Sequence, residues 1–337
     1  MDSLTQAVLG GAVTYAVLGR PLGKRAALYG MVLGTLPDLD VLIDFGGPVE
    51  NMTHHRGFTH SFLVQALVTP LFALLLSRLP FGRDTSLIRW YIAVYLSFTT
   101  HSLADFFTVY GTQIFWPLTD HPFAHSILFI VDPVYTAPLF IAVISALLMH
   151  DRDRALKLNT FMLVLSTLYL LWSTGAKWVI DNRIQEALAK RGISAQVFES
   201  TPAPLNTLLW RGVAVEEDQY FEIWASIFDN VDQIQIRGFP QNKEILSSIV
   251  DHPKIERLRW FTKNQYKVWR SNDQIIISDL RMGVEGAYVF NFEVGRQINN
   301  QTNIGSFQQI QQRLDLNGLY SVWARIFDPT VSVSNPD

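Results

Sequence analysis

Apolar residues gather in six long runs over the first half of the chain, at about 4–19, 26–43, 60–79, 88–107, 126–149 and 158–180. Each run approaches the roughly 20 residues a helix needs to cross a bilayer. Six such runs in succession are rare outside membranes, so the pattern predicts about six transmembrane helices. The competing reading is a set of core helices in a large soluble protein. Gly10-Gly11 gives the first run a small face suited to close helix contact. Pro37 should kink or end the second, because proline removes a backbone donor.

After residue 180 the pattern changes. Residues 181–191 should carry the sixth helix out of the membrane and stop at Gly192, a usual helix-ending glycine. A Pro-containing linker follows at 200–206, then strand-like runs at 212–228, 268–280 and 287–294. Helical patterns lie near 243–260 and 304–313. The expected fold class is an α-helical integral membrane bundle of about six transmembrane helices followed by a soluble α+β domain. Its boundaries are a membrane domain over 1–182, a helix extension and linker over 183–206, and an α+β domain over 207–337.

Charge adds an orientation. The connections at 20–25, 78–89 and 150–157 are rich in Lys and Arg, whereas the alternate ones hold Arg56 and, between 107 and 126, no base at all. Basic short loops face the cytoplasm. The 54–61 loop and everything after residue 180 are therefore expected outside it. The N-terminus lacks a basic leader, so the first run reads as a retained helix rather than a cleaved signal. A net charge of −3 gives no reason to expect nucleic acid as a partner.

The chemistry stands where apolar runs begin and end. His54, His55 and His60 crowd one loop, His101 and Asp105 fall in the fourth run, and Asp38 and Asp40 follow Pro37. Ionisable groups in or near membrane spans usually serve a site. Counted from the cytoplasmic ends at about 1.5 Å per residue, Asp38, His60, His101 and Asp105 reach the outer half of the bilayer on three helices. With no Cys in the chain, any metal must be held by imidazole and carboxylate, which suit Zn, Mn or Fe alike. The candidate ligands are Asp38, Asp40, His55, His60, His101 and Asp105. Asp40 is also a candidate base, and Arg56 a candidate clamp on a phosphate or carboxylate.

These residues carry a resemblance. Pro37-Asp38-Leu39-Asp40, the stretch from His55 through Arg56, Gly57, Phe58 and Thr59 to His60 and Ser61, and His101 with Asp105 resemble the LexA-binding, inner-membrane-associated hydrolase family. Gly111 through Trp116-Pro117 and Asp132-Pro133 fit it too, so the resemblance covers about residues 1–180. The family implies a membrane-bound metal-dependent hydrolase of the bacterial inner membrane; the apolar runs and loop charges make the expected topology multi-pass with an extracytoplasmic C-terminal domain. The family is grouped with the zinc-dependent phospholipase C and nuclease superfamily, which puts zinc first. The function expected is cleavage of an ester or phosphoester in an amphiphilic or lipid substrate at the outer leaflet by metal-activated water. The alternative is a non-catalytic metal-binding or ion-transport membrane protein. No His-Glu-x-x-His occurs, which disfavours a metalloprotease.

Overall fold

The computed structural model describes residues 1–80, 82–83, 85–298, 301–311 and 318–333. Asp2 caps the first helix, α1 (Ser3–Leu22), by accepting the Thr5 N–H. Gly23, at φ 57°, breaks it from α2 (Lys24–Leu33). A 3-10 turn, Pro37–Leu42, and a short helix, α3 (Pro48–His54), come next. They are followed by a second 3-10 turn, Phe58–His60, and by α4 (Phe62–Arg78), α5 (Leu87–Phe106), α6 (Pro133–Leu148) and α7 (Arg152–Lys190).

These lengths overturn the six-span bundle. α2 has 10 residues and α6 has 16, about 15 and 24 Å at the usual rise, against a hydrocarbon core about 30 Å thick. α1 and α5 have 20 residues each but bury Gln6 and Thr14, and Ser97, His101 and Asp105. Among the described residues one helix, α7 with 39 residues, is long and apolar enough to cross a membrane. The count rises to two if Pro48–His60 and Phe62–Arg78 are taken as a single bent span. The protein is a mixed helical and sheet protein. A hydropathy average over a window does not register the break at Gly34, and so it joins α2 and the following turn into one long run. The equal-depth count and the multi-pass topology lose their footing with the six spans.

The chain divides into two compact units, Met1–Ile43 with His55–Thr174, and Asp44–His54 with Gly175–Asp337. In the first, polarity runs inside out along α4: Leu63, Leu67, Leu71 and Leu75 are exposed while Gln65 and Thr69 are buried. Lipid contact suits that arrangement better than water does. α1 and α2 meet through bare backbone. A Cβ on Gly10 would lie 2.4 Å from the Gly30 carbonyl oxygen, and one on Gly30 2.3 Å from that of Gly10. Glycine at both positions lets the two helices touch.

In the second unit, β1 (Val197–Pro202), β2 (Leu209–Glu216), β3 (Gln219–Ser226) and β4 (Gln235–Pro240) form an antiparallel sheet in chain order. Ala176, Ile180 and Ile184 of α7 pack with Trp210, Ala214 and Ile223 of that sheet. The helix α8 (Pro253–Phe261) precedes β5 (Tyr266–Ser271) and β6 (Gln274–Asp279). After a two-stranded pair, β7 (Gly283–Val284) and β8 (Ala287–Tyr288), come β9 (Asn291–Ile298) and β10 (Gln301–Ile304). The second sheet has the order β10-β9-β6-β5. Helix α9 (Gly318–Phe327) packs on the first sheet. The helical run expected near 304–313 is not found over 305–311, and its last two residues lie outside the described ones. Likewise β1 occupies positions read from sequence as linker.

Candidate metal centre

Three backbone devices bring the polar groups together. Pro37 opens the turn that presents Asp38 and Asp40. The Phe58–His60 turn ends at Ser61, which caps α4 and leaves His60 fully buried. His101 and Asp105 stand four residues apart on α5 and project from one face. The left-handed backbone in the histidine loop falls on Arg56, at φ 61°, whereas Gly57 has φ −84°.

Asp38, His60, His101 and Asp105 form a group that can hold a metal ion, with one ligand atom of each within 4.8 Å of all the others. His60 Nε2 lies 3.0 Å from Asp105 Oδ2 and 3.4 Å from Asp38 Oδ1. His101 Nε2 lies 3.4 Å from each of the same two oxygens. The two imidazole Nε2 atoms are 3.1 Å apart.

The surrounding hydrogen bonds assign the protons. His101 Nδ1 is 2.7 Å from the Gly34 carbonyl oxygen, which can only accept, so Nδ1 carries the hydrogen. Thr59 Oγ1 donates to Asp40 Oδ2 at 2.8 Å and lies 2.9 Å from His60 Nδ1, so that nitrogen must donate to Thr59. In the neutral form that a metal ion would require, both rings therefore turn Nε2 lone pairs toward the shared space. Burial pushes the His101 ring down, but the facing Asp105 and Asp38 carboxylates outweigh it and raise it to about 9, so that a proton can take that place. The buried oxygens Asp38 Oδ1 and Asp105 Oδ2 accept no hydrogen bond. An unsatisfied buried acceptor costs about 1–3 kcal/mol, and more when charged. Four lone-pair donors converging on one small space are what a divalent cation requires, so the donor set fits the group.

Asp40 and His55 stand outside this convergence and pair with each other, His55 Nδ1 lying 2.7 Å from Asp40 Oδ1. Asp40 Oδ2 also accepts the Arg56 backbone N–H at 3.0 Å. Burial pushes the Asp40 carboxyl up, but the bonds from His55 and Thr59 and the facing His60 ring pull it below the usual carboxylate range. Burial likewise opposes ionisation of Asp38, and the facing imidazoles of His101 and His60 reverse that, holding it well below the range. Arg56 is buried, with Nη2 3.2 Å from Asp105 Oδ1, Nη1 donating to Thr108 Oγ1 at 3.0 Å, and its guanidinium over the Tyr110 ring. Gln6 Nε2 and the Met1 amino group also bond Asp105 Oδ1. Thr59, Gln6 and the Gly34 carbonyl escape sequence reasoning. Only Thr59 had a signal, its place between two candidate residues.

The remaining motif residues fall elsewhere. Asp132 caps α6 through the Val134 and Tyr135 N–H groups and accepts from the Tyr169 hydroxyl. His54 stacks on Phe45 and bonds Arg257, and His125 stacks on Phe106.

Residues 1–178 match the profile of the YdjM inner membrane protein family. The chain belongs to that family. All four converging residues lie inside the matched region, and residues 179–337 lie beyond it. A curated relative, inner membrane protein YbcI of Escherichia coli (strain K12), is 35% identical over 123 residues, 36% of this chain and 69% of YbcI. No solved structure matches the chain. This YdjM family member is thus a bacterial inner membrane protein, in keeping with the inner-membrane part of the resemblance read from the motifs.

Proposed function

We propose that the protein is a membrane-bound metal-dependent hydrolase acting on an ester or phosphoester of an amphiphilic substrate. The observation that carries this reading is the set of four converging lone-pair donors with a proton-handling pair beside it. Asp38, His60, His101 and Asp105 would hold the ion; two imidazoles and two carboxylates suit Zn, Mn or Fe, and the superfamily resemblance puts zinc first. A divalent metal bound there supplies Lewis acidity and lowers the pKa of water toward neutrality. The chain supplies the rest. With Nδ1–H given to Asp40, His55 carries its lone pair on Nε2, and its side chain is 24% exposed, the most open imidazole of the group. It is placed to take a proton there and return it to a leaving group, while Asp40 steadies the charged ring. Arg56 holds Asp105 in position through Oδ1 and leaves Oδ2 facing the other donors. The apolar outer faces of the same unit favour a substrate that partitions into lipid.

The test is metal analysis of purified protein followed by a screen of lipid phosphoesters. His60→Ala, His101→Ala and Asp105→Ala should each lose bound metal while staying in the membrane, and His150→Ala and His252→Ala should keep it. His55→Ala should keep metal but lose hydrolysis by about 100-fold, the range for a general base. Equal metal content in all these variants would sink the assignment. Full metal loading without hydrolysis, accompanied by ion movement across vesicles, would transfer the site to transport.

A further inference from the structure

Helix α9 is apolar on two sides. Its inner side, Val322 and Ile326, is buried with Leu209, Trp224 and Ala203. Its outer side carries Tyr320, Trp323 and Phe327, which are 82%, 45% and 72% exposed. Their i, i+3, i+7 spacing is that of one helical face. Phe228 extends the stripe, itself 59% exposed and stacked on Phe327 with ring centroids 5.7 Å apart. The helix cannot roll to hide these rings. The fully buried Arg325 fixes it through two bonds to the Asp229 carboxylate, at 3.0 and 2.6 Å, and one to the Trp224 carbonyl at 3.2 Å.

What covers the stripe follows from what holds its loop. Arg183 of α7 donates from Nη1 to the carbonyls of Ile227 and Asp229, at 2.8 and 2.9 Å, gripping the residues on either side of Phe228. Along α7, residues 158–176 are uncharged, and Trp178 follows just after Lys177 with 70% of its surface exposed. Arg183 lies about 7.5 Å further along the axis. The rings therefore stand near the level at which the apolar part of α7 ends, and Trp and Tyr concentrate at that level of a membrane.

We propose that Phe228, Tyr320, Trp323 and Phe327 form an interfacial anchor that seats in the phospholipid headgroup layer of the membrane that α7 crosses. The rings enter the headgroup and acyl boundary, where an apolar body and a polar tip are both satisfied. The anchor is independent of the metal centre and of any hydrolysis there.

The chain has no cysteine, so single introduced thiols can be labelled cleanly. Spin labels on Trp323→Cys and Phe327→Cys would be read in full-length protein reconstituted in phosphatidylethanolamine–phosphatidylglycerol vesicles. Leu168→Cys on the exposed apolar side of α7 and Asp218→Cys on the β2–β3 hairpin serve as lipid and water references. The ratio of collisions with dissolved oxygen to collisions with a water-soluble nickel chelate should be several-fold higher at 323 and 327 than at 218, and below that at 168. In a Tyr320→Ser, Phe228→Ser background the value at 327 should fall toward that of 218, with metal content unchanged. Values at 323 and 327 equal to that at 218 would overturn the anchor. Dipolar broadening between labels on two copies would overturn it in favour of self-association.

Discussion

Two imidazole Nε2 atoms 3.1 Å apart, with two carboxylate oxygens beside them, call for a positive charge between them, either a metal ion or a proton on His101. Their tautomers are set one hydrogen bond further out, by the Gly34 carbonyl for His101 and by Thr59 with Asp40 for His60. Thr59→Val keeps the shape and removes the hydroxyl. Partners of this kind typically contribute 10–100-fold to metal affinity, so titration with zinc should show a loss of about that size. Thr59→Ser should restore most of it, and a Val variant that binds normally would refute the tautomer argument. The donor types were legible in the sequence, because His and Asp stand out against apolar runs. The division of labour was not. Asp38 and Asp40 look equivalent two positions apart, as do His55 and His60. What separates them is a hydroxyl and a carbonyl oxygen, groups that almost any stretch of sequence contains.

At the scale of elements, the seam between α1 and α2 helps to position the site without supplying a donor to it. Gly34, whose carbonyl holds His101, also faces α1, where its Cβ would lie 2.4 Å from the Gln6 carbonyl oxygen. Gly30→Val must push the helices apart, since its Cβ would lie 2.6 Å from Thr14 Cβ as well as against Gly10. Overpacking of this kind costs about 1–3 kcal/mol. The variant should melt earlier and bind less zinc although no donor has changed. Normal binding in a destabilised variant would uncouple seam and site. Five of the six apolar runs correspond to single helices, because composition over a long window is what defines them. The run at 26–43 is instead α2 and a 3-10 turn, since turn geometry at Gly34 and Pro37 outweighs hydropathy. α9 escaped notice because it is only ten residues long, although its apolar residues recur at a helical period.

At the scale of the whole molecule, α7 is, among the described residues, the one helix that runs from the first unit into the second. Arg152, Arg154 and Lys157 precede its uncharged stretch. By the usual bias of short basic flanks, that end should face the cytoplasm. A reporter active only after export should then be silent when fused after His150 and active at Asp337. The reverse pattern would invert the orientation without touching the family assignment.

The four converging donors come from positions 38, 60, 101 and 105, carried by two turns and a helix. During synthesis Asp38 and His60 emerge well before the pair on α5, and His101 gains its Gly34 partner only when α5 and α2 have met. Loading of the proposed centre would therefore be a late step in the life of each new copy. It would wait on the packing of α5 against α2, so metal starvation should leave a folded but empty protein rather than an aborted one.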